Sequence, residues 1–158
     1  MKKKEIYLEN LAQTKIFASR LAKIAKLGDI ITFSGELGAG KTSFIQYFIQ
    51  SLSDKIIEIT SPTFNLLHIH KLAQLEIWHF DLYRLKSKEE AYELGIEDGF
   101  NHAISLIEWP EIIYNILPED RLEIHLSFST EADARLLTLI GFGKWSKIIN
   151  NQLLLQEN

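Results

Sequence analysis

The chain contains no cysteine. Disulfides, thiolate metal sites and a cysteine nucleophile are therefore excluded. Basic residues are also short: 17 Lys and Arg stand against 21 Asp and Glu, a formal charge of −4 at pH 7. A surface that binds nucleic acid by itself needs a net basic face to neutralise phosphates, so any nucleic-acid role is expected to pass through a partner. No apolar run approaches the length of a membrane span, so no membrane association is expected. The N-terminal Met1-Lys2-Lys3-Lys4-Glu5 leads into Ile6-Tyr7-Leu8-Glu9-Asn10. That stretch is too short and too polar for a signal-peptide core and suits the solvated start of a strand, so the expected location is the cytoplasm. Prolines number only three, at positions 62, 110 and 118. No linker, repeat or low-complexity segment marks a boundary, and residues 1–158 are expected to form a single domain.

Hydrophobic residues make up 46% of the chain, with 9 Phe, 5 Tyr and 3 Trp, which suits a folded core and not a disordered segment. The most informative stretch is Gly35-Glu36-Leu37-Gly38-Ala39-Gly40-Lys41-Thr42, a full match to the phosphate-binding loop, preceded directly by the strand-like Ile30-Ile31-Thr32-Phe33. Glycines let the backbone wrap a phosphate chain. The N–H groups at the following helix N-terminus, with the helix dipole, favour an anion. The backbone of Glu36, Leu37, Gly38, Ala39 and Gly40, together with Lys41, Thr42 and Ser43, is expected to bind the phosphates of ATP. Lys41 would reach the β and γ phosphates, and the Thr42 hydroxyl would ligate Mg²⁺.

The periodicity around the loop predicts an α/β protein. Phe17, Leu21 and Ile24 give an amphipathic helix of about three turns ending before Gly28. Phe44, Ile45, Phe48, Ile49 and Leu52 give the helix that the loop opens onto. Ile56 to Ile59 is a short strand candidate, followed by the loop Thr60-Ser61-Pro62-Thr63. Phe64 to His70 and Leu75 to Phe80 suit an antiparallel hairpin, and the second run ends at Asp81. Ser87-Lys88-Glu89-Glu90 resembles a capping box opening a helix through Leu94, with Gly95 as its stop. Ala103 to Ile107 reads as a strand buried on both faces, with Glu108 at its carboxyl end. Pro110 and Pro118 bracket a partly helical connection. Arg121 to Phe128 and Arg135 to Gly141 read as strands, and Trp145, Ile148, Ile149, Gln152 and Leu153 have helical spacing. The whole is expected to be a three-layer P-loop NTPase-like fold, with a central mixed, largely parallel sheet and an antiparallel hairpin.

Mg²⁺ at a phosphate loop needs oxygen ligands beyond one hydroxyl, so acids at strand ends are the candidates. Glu108 follows Ile104-Ser105-Leu106-Ile107 in the form of a Walker B strand, and Asp81 follows Ile77-Trp78-His79-Phe80 less cleanly. Either acid can equally be a strand cap. His68 and His70 alternate onto one face of a strand with His79 on the next run. Without a fourth ligand at matching spacing they read as exposed or hydrogen-bonded hairpin histidines. Arg84 and Arg135 could reach phosphate but as isolated arginines suit surface pairs. Trp109 can pack in the core or face the site.

With Ser61-Pro62-Thr63-Phe64, His79-Phe80-Asp81-Leu82-Tyr83-Arg84-Leu85 and Ile107-Glu108-Trp109-Pro110 added to the loop, the chain resembles the TsaE (YjeE) family, small P-loop ATPases of bacterial tRNA threonylcarbamoyladenosine biosynthesis. The pieces stand in that family's order and spacing across Gly35 to Pro110, and the similarity extends from Thr14 to Arg135. The resemblance implies an ATPase that acts with TsaB-like and TsaD-like partners, which transfer the threonylcarbamoyl group to an adenosine beside the anticodon. The ATPase would reset that complex between turnovers and meet tRNA only through it. Carried over, Thr42 and Glu108 resemble the Mg²⁺ site and Asp81 a second acid near the γ-phosphate, so Lys41, Asp81 and Glu108 are the expected catalytic residues. Ser61 to Phe64 resembles a switch-like loop, and Thr14 and Arg135 are similar to positions near the nucleotide. Two other classes share the loop. A small-molecule kinase would need an acceptor pocket and usually an Arg-rich lid, which is not visible. A nucleotide-dependent interaction module would hydrolyse negligibly alone, as would a site completed by a partner. A GTPase is disfavoured because no Asn-Lys-x-Asp sequence is present.

Overall fold

The computed structural model describes residues 1–151 and 153. In chain order its elements are β1 (Lys2–Leu8), α1 (Leu11–Ile24), β2 (Ile30–Ser34), α2 (Lys41–Ser51), β3 (Leu67–Lys71), β4 (Glu76–Asp81), α3 (Lys88–Glu93), α4 (Ile96–His102), β5 (Ile104–Glu108), a 3-10 helix (Pro110–Ile116), β6 (Leu122–Phe128), β7 (Arg135–Gly141) and α5 (Trp145–Asn151). The strands form one seven-stranded sheet in the order β1-β7-β6-β2-β5-β4-β3. β2 pairs in parallel with β5 and β6, and β4 pairs in parallel with β5; β1–β7, β6–β7 and β3–β4 are antiparallel. Strands β1, β6, β2, β5 and β4 thus share a direction, and β7 and β3 oppose them. This is the mixed, largely parallel sheet with an antiparallel hairpin that the alternation of elements predicts.

Strand alternation sorts side chains onto two covered faces. Ile31, Phe33, Leu106 and Ile124 face one way and are covered by Phe17 and Leu21 of α1 and by Phe44, Phe48 and Ile49 of α2. Phe44 anchors this layer, with ring centroids 6.1 Å from Phe17 and 5.3 Å from Phe33. Full burial of each such ring or branched chain contributes about 1.5–3 kcal/mol. Ile30, Phe80 and Ile107 face the other way, against Ala91 of α3, Ile96 of α4 and Ile113 of the 3-10 helix. Because β2 and β5 are central and covered on both sides, Ile30 to Phe33 and all of Ile104 to Glu108 are buried.

Some local expectations need correction. Residues 56–59 are not a strand: the Ile57 N–H donates to Gln50 Oε1 at 3.2 Å, and the Ile59 carbonyl accepts from Gln46 Nε2 at 2.7 Å. The backbone is satisfied by two glutamines of α2 instead of a ladder. The hairpin begins at Leu67, not Phe64, because Leu66 has φ 65° and its N–H closes a turn onto the Pro62 carbonyl. Gly95 does end α3, but its left-handed conformation (φ 80°) also starts α4. Gln152, placed on the last helix by its spacing, lies outside the described residues. Among the described residues, no helix is long and apolar enough to cross a membrane.

Candidate functional site

β2 delivers the chain into the loop and α2 takes it out. Gly35 has φ 132°, and a Cβ there would run into the Leu126 carbonyl of β6, so the turn out of β2 passes where only glycine fits. Gly40, at φ 104°, caps the N-terminus of the eleven-residue α2. From outside, Arg135 braces the loop: its Nε donates to the Ala39 carbonyl at 2.7 Å, and its Nη1 donates to the Ala132 and Ala134 carbonyls. The guanidinium also lies over the Phe128 ring.

Inside the loop, Lys41 Nζ donates to the Gly35 carbonyl at 2.7 Å and the Glu36 carbonyl at 2.9 Å. The indole of Trp109 covers it, 4.2 Å from nitrogen to ring centroid. Burial lowers the Lys41 pKa below the ordinary lysine value, and the negative charges of Glu108, Glu111 and Asp81 partly offset this. The ammonium is thus held by weak neutral acceptors in a place that favours an anion.

The parallel register sets the acids beside the loop. Phe33 pairs with Glu108, and Glu108 with Asp81, so the carboxyl ends of β2, β5 and β4 lie abreast. Glu108 is 2% exposed. Its Oε1 accepts from the Thr42 hydroxyl at 2.8 Å, and its Oε2 lies 2.7 Å from His79 Nε2. Asp81 Oδ1 accepts from the Tyr83 N–H at 3.1 Å, and Oδ2 accepts from the Ser61 hydroxyl at 3.4 Å. Ser61 is in turn 2.9 Å from the Thr63 hydroxyl, so the loop after residue 60 is tied to the second acid.

These groups open onto one cavity of about 330 Å³. Of the residues expected at a nucleotide, it brings together Leu37, Gly38, Gly40, Lys41, Thr42, Ser43, Asp81 and Glu108. Glu36 and Ala39 contribute backbone carbonyls, to Lys41 and Arg135 respectively. Arg135 itself stands behind the loop. Thr14 is buried in α1, its hydroxyl 3.4 Å from the Asn10 carbonyl, and is not part of the cavity lining. Arg84 lines the cavity and stacks over Phe64 at 4.7 Å. Among the described residues, neither Arg84 nor Arg135 is in a salt bridge. Trp109, ambiguous in sequence, faces the site with Tyr83 packed on it at 4.9 Å.

Glu108, Thr42 and Asp81 together offer hard oxygen donors, the set that suits Mg²⁺ when waters and substrate phosphates complete its shell. Among the described residues, no group of three or more His, Cys, Asp or Glu side chains is arranged to hold a metal. His68 instead contacts the Thr60 carbonyl at 3.2 Å and the Asn65 amide at 3.4 Å. His79 is hydrogen-bonded too and is fully buried, engaged with Glu108. Its position depends on the parallel pairing of β4 with β5, a non-local register that alternation along one strand does not reveal.

His70 gives a pH dependence. Burial pulls its pKa below the usual 6.5, with His79 and then His68 adding to the effect. Its Nε2 is enclosed without a hydrogen-bond partner. Above pH 6.5 the imidazole is neutral in both folded and unfolded chains and contributes nothing. As pH falls through and below that value, the unfolded chain takes the proton first, so stability declines, with the full cost present below the folded pKa. The melting temperature should therefore drop more steeply from about pH 7.5 to about pH 5 in the parent than in His70→Gln. Parallel pH profiles would contradict this.

Comparison with known proteins adds the family. The family model described as Threonylcarbamoyl adenosine biosynthesis protein TsaE matches residues 8–136. The chain is 42% identical over 145 residues to the tRNA threonylcarbamoyladenosine biosynthesis protein TsaE of Rickettsia felis, covering 92% of this chain and 84% of the relative. It is 33% identical over 150 residues to the protein of the same description from Bacillus subtilis, covering 94% and 92%. The crystal structure of Bacillus subtilis YdiB is similar in fold, with a TM-score of 0.75 and 28% identity over 96% of this chain and 94% of that one.

Proposed function

The chain belongs to the TsaE family of tRNA threonylcarbamoyladenosine biosynthesis, and on that premise we propose that it binds and hydrolyses ATP with Mg²⁺ in support of a TsaB-like and TsaD-like transferase complex. The observation that carries this reading is the convergence of Lys41, the Thr42–Glu108 pair and Asp81 on one cavity at the carboxyl ends of three adjacent strands. That is where open α/β sheets bind ligands.

The chemistry follows from what each side chain already does. Lys41 holds two carbonyls, and phosphate oxygens are stronger acceptors, so a triphosphate would replace bonds to neutral acceptors with bonds to anionic ones. Thr42 and Glu108 would hold Mg²⁺, which when bound supplies positive charge against the charge developing on the phosphates. Asp81, oriented by the Tyr83 N–H and the Ser61 hydroxyl, faces the same cavity and is the group to orient an attacking water.

The rim supports dependence on a partner. Leu37 is 78% exposed, Phe64 83% and Tyr83 60%, although Leu37 and Tyr83 line the cavity and Phe64 lies against its Arg84. Large apolar side chains open around a cavity mouth suit a protein surface that closes over it. With a net charge of −4 the chain would meet tRNA only through such partners.

Binding is tested by thermal shift. Mg-ATP at a hundredfold excess over its dissociation constant should stabilise the fold by about 2.7 kcal/mol, and GTP at the same concentration should do less. Equal stabilisation by both, or by neither, would contradict the assignment of ATP.

A further inference from the structure

A histidine with no exposed surface is costly to keep in a sheet unless its polar atoms are used. His79 lies on β4 with Leu106 of β5 on one side and His68 of β3 on the other. It has one polar contact among the described residues, Nε2 to Glu108 Oε2 at 2.7 Å, while its buried Nδ1 has no partner. The contact assigns the tautomer. Glu108 already accepts from Thr42 on its other oxygen, so Nε2 carries the proton and donates. Nδ1 is then a bare lone pair, less costly to leave alone than an enclosed N–H.

Glu108 needs such a donor for two reasons. At 2% exposure a carboxylate with only one bonded oxygen would be poorly compensated for lost water. It also stands directly beside Asp81 in the register, and two neighbouring acids would otherwise turn apart. From these contacts we propose that His79 is a positioning residue: it holds Glu108 Oε2 and so leaves Oε1 on the Thr42 hydroxyl, the pair that would hold the cation. This role rests on the Mg²⁺-dependent ATPase reading. It deepens that reading by assigning to β4 both the second acid, Asp81, and the group that orients the first.

The discriminating variants are two amides of the same chemistry. Gln carries its side-chain nitrogen about where His carries Nε2, whereas Asn ends near the position of Nδ1 and falls short of Glu108. With a non-hydrolysable ATP analogue as probe, calorimetric titration of MgCl₂ into the complex should show half-saturation raised about tenfold or more in His79→Asn, with His79→Gln recovering a substantial part of the loss. Turnover in the partner-stimulated reaction should follow the same order, as a fall in kcat with KM for ATP little changed, since the phosphate loop is untouched. Melting temperatures would be measured alongside. A filler role would make the two amides similar in Mg²⁺ affinity whatever their stability, and that result overturns the proposal. If His79→Asn does not fold, a normal Mg²⁺ response in His79→Leu, which has no donor at all, overturns it as well, and a weakened one supports it. A parent protein with no Mg²⁺-dependent binding of the analogue would remove the ATPase reading itself and this role with it. A parent that binds, with His79→Asn equal to it, removes this role alone.

Discussion

Lys41→Ala is expected to weaken ATP binding on the order of a hundredfold or more, while the protein remains folded. The side chain is almost fully buried, and its ammonium is the cation within the loop, bonded to the Gly35 and Glu36 carbonyls. Hydrogen bonds to charged groups are worth about 1.5–3 kcal/mol each, and a hundredfold is about 2.7 kcal/mol, so the loss of the lysine contacts to phosphate accounts for the effect without further assumptions. Burial disfavours the charged lysine, so removing it takes away a desolvation cost as well as two bonds, and the net change in stability should be small. Calorimetric titration with ATP measures the affinity, and a melting curve checks the fold. A dissociation constant equal to the parent value would mean that the loop does not hold a triphosphate through Lys41.

The second large effect is on chemistry instead of binding. Glu108→Gln and Asp81→Asn should each reduce Mg²⁺-dependent hydrolysis by on the order of a hundredfold or more while much of the nucleotide affinity is kept. On the proposed reading the loop backbone and Lys41 would supply the contacts to phosphate, whereas the two acids would act where charge is ordered around the metal and the attacking water. Both changes preserve shape. Glu108→Gln leaves a side chain able to bond Thr42, and His79 can move its proton to the unpartnered Nδ1 to accept from the new amide. Asp81→Asn retains an oxygen for the Tyr83 N–H. The measurement is phosphate release in the partner-stimulated reaction, with affinity determined on the same proteins. Hydrolysis at the parent rate in either variant would make that acid a strand cap only.

Much of this site is legible in the sequence because its pieces are local. The phosphate loop is contiguous, the run Ile104 to Ile107 announces a strand buried on both faces, and Glu108 stands at its end. What stays hidden depends on pairing between distant segments. His79 looks like one of a row of hairpin histidines until β4 is laid against β5. Trp109 turns towards Lys41 through a left-handed backbone (φ 56°) that no propensity predicts for tryptophan. Arg135 resembles a residue near the nucleotide, and what alternation along its own strand does not reveal is that it holds the Ala39 carbonyl of the loop. Residues 56–59 carry β-branched side chains, but two glutamines of α2 occupy the backbone groups that a ladder would need. Helix α4 is missed because Gly95 reads as a stop, although one left-handed glycine can end a helix and begin the next.

On the proposed function, this chain would be an ATPase whose site is finished by its partners. The direct measurement is phosphate release from Mg-ATP by the purified protein, alone and with a reconstituted TsaB–TsaD complex. Slow release alone and clear stimulation by the complex, lost in Glu108→Gln, are the expected result. No release under either condition, or transfer of the phosphate to a small metabolite instead of water, would contradict it.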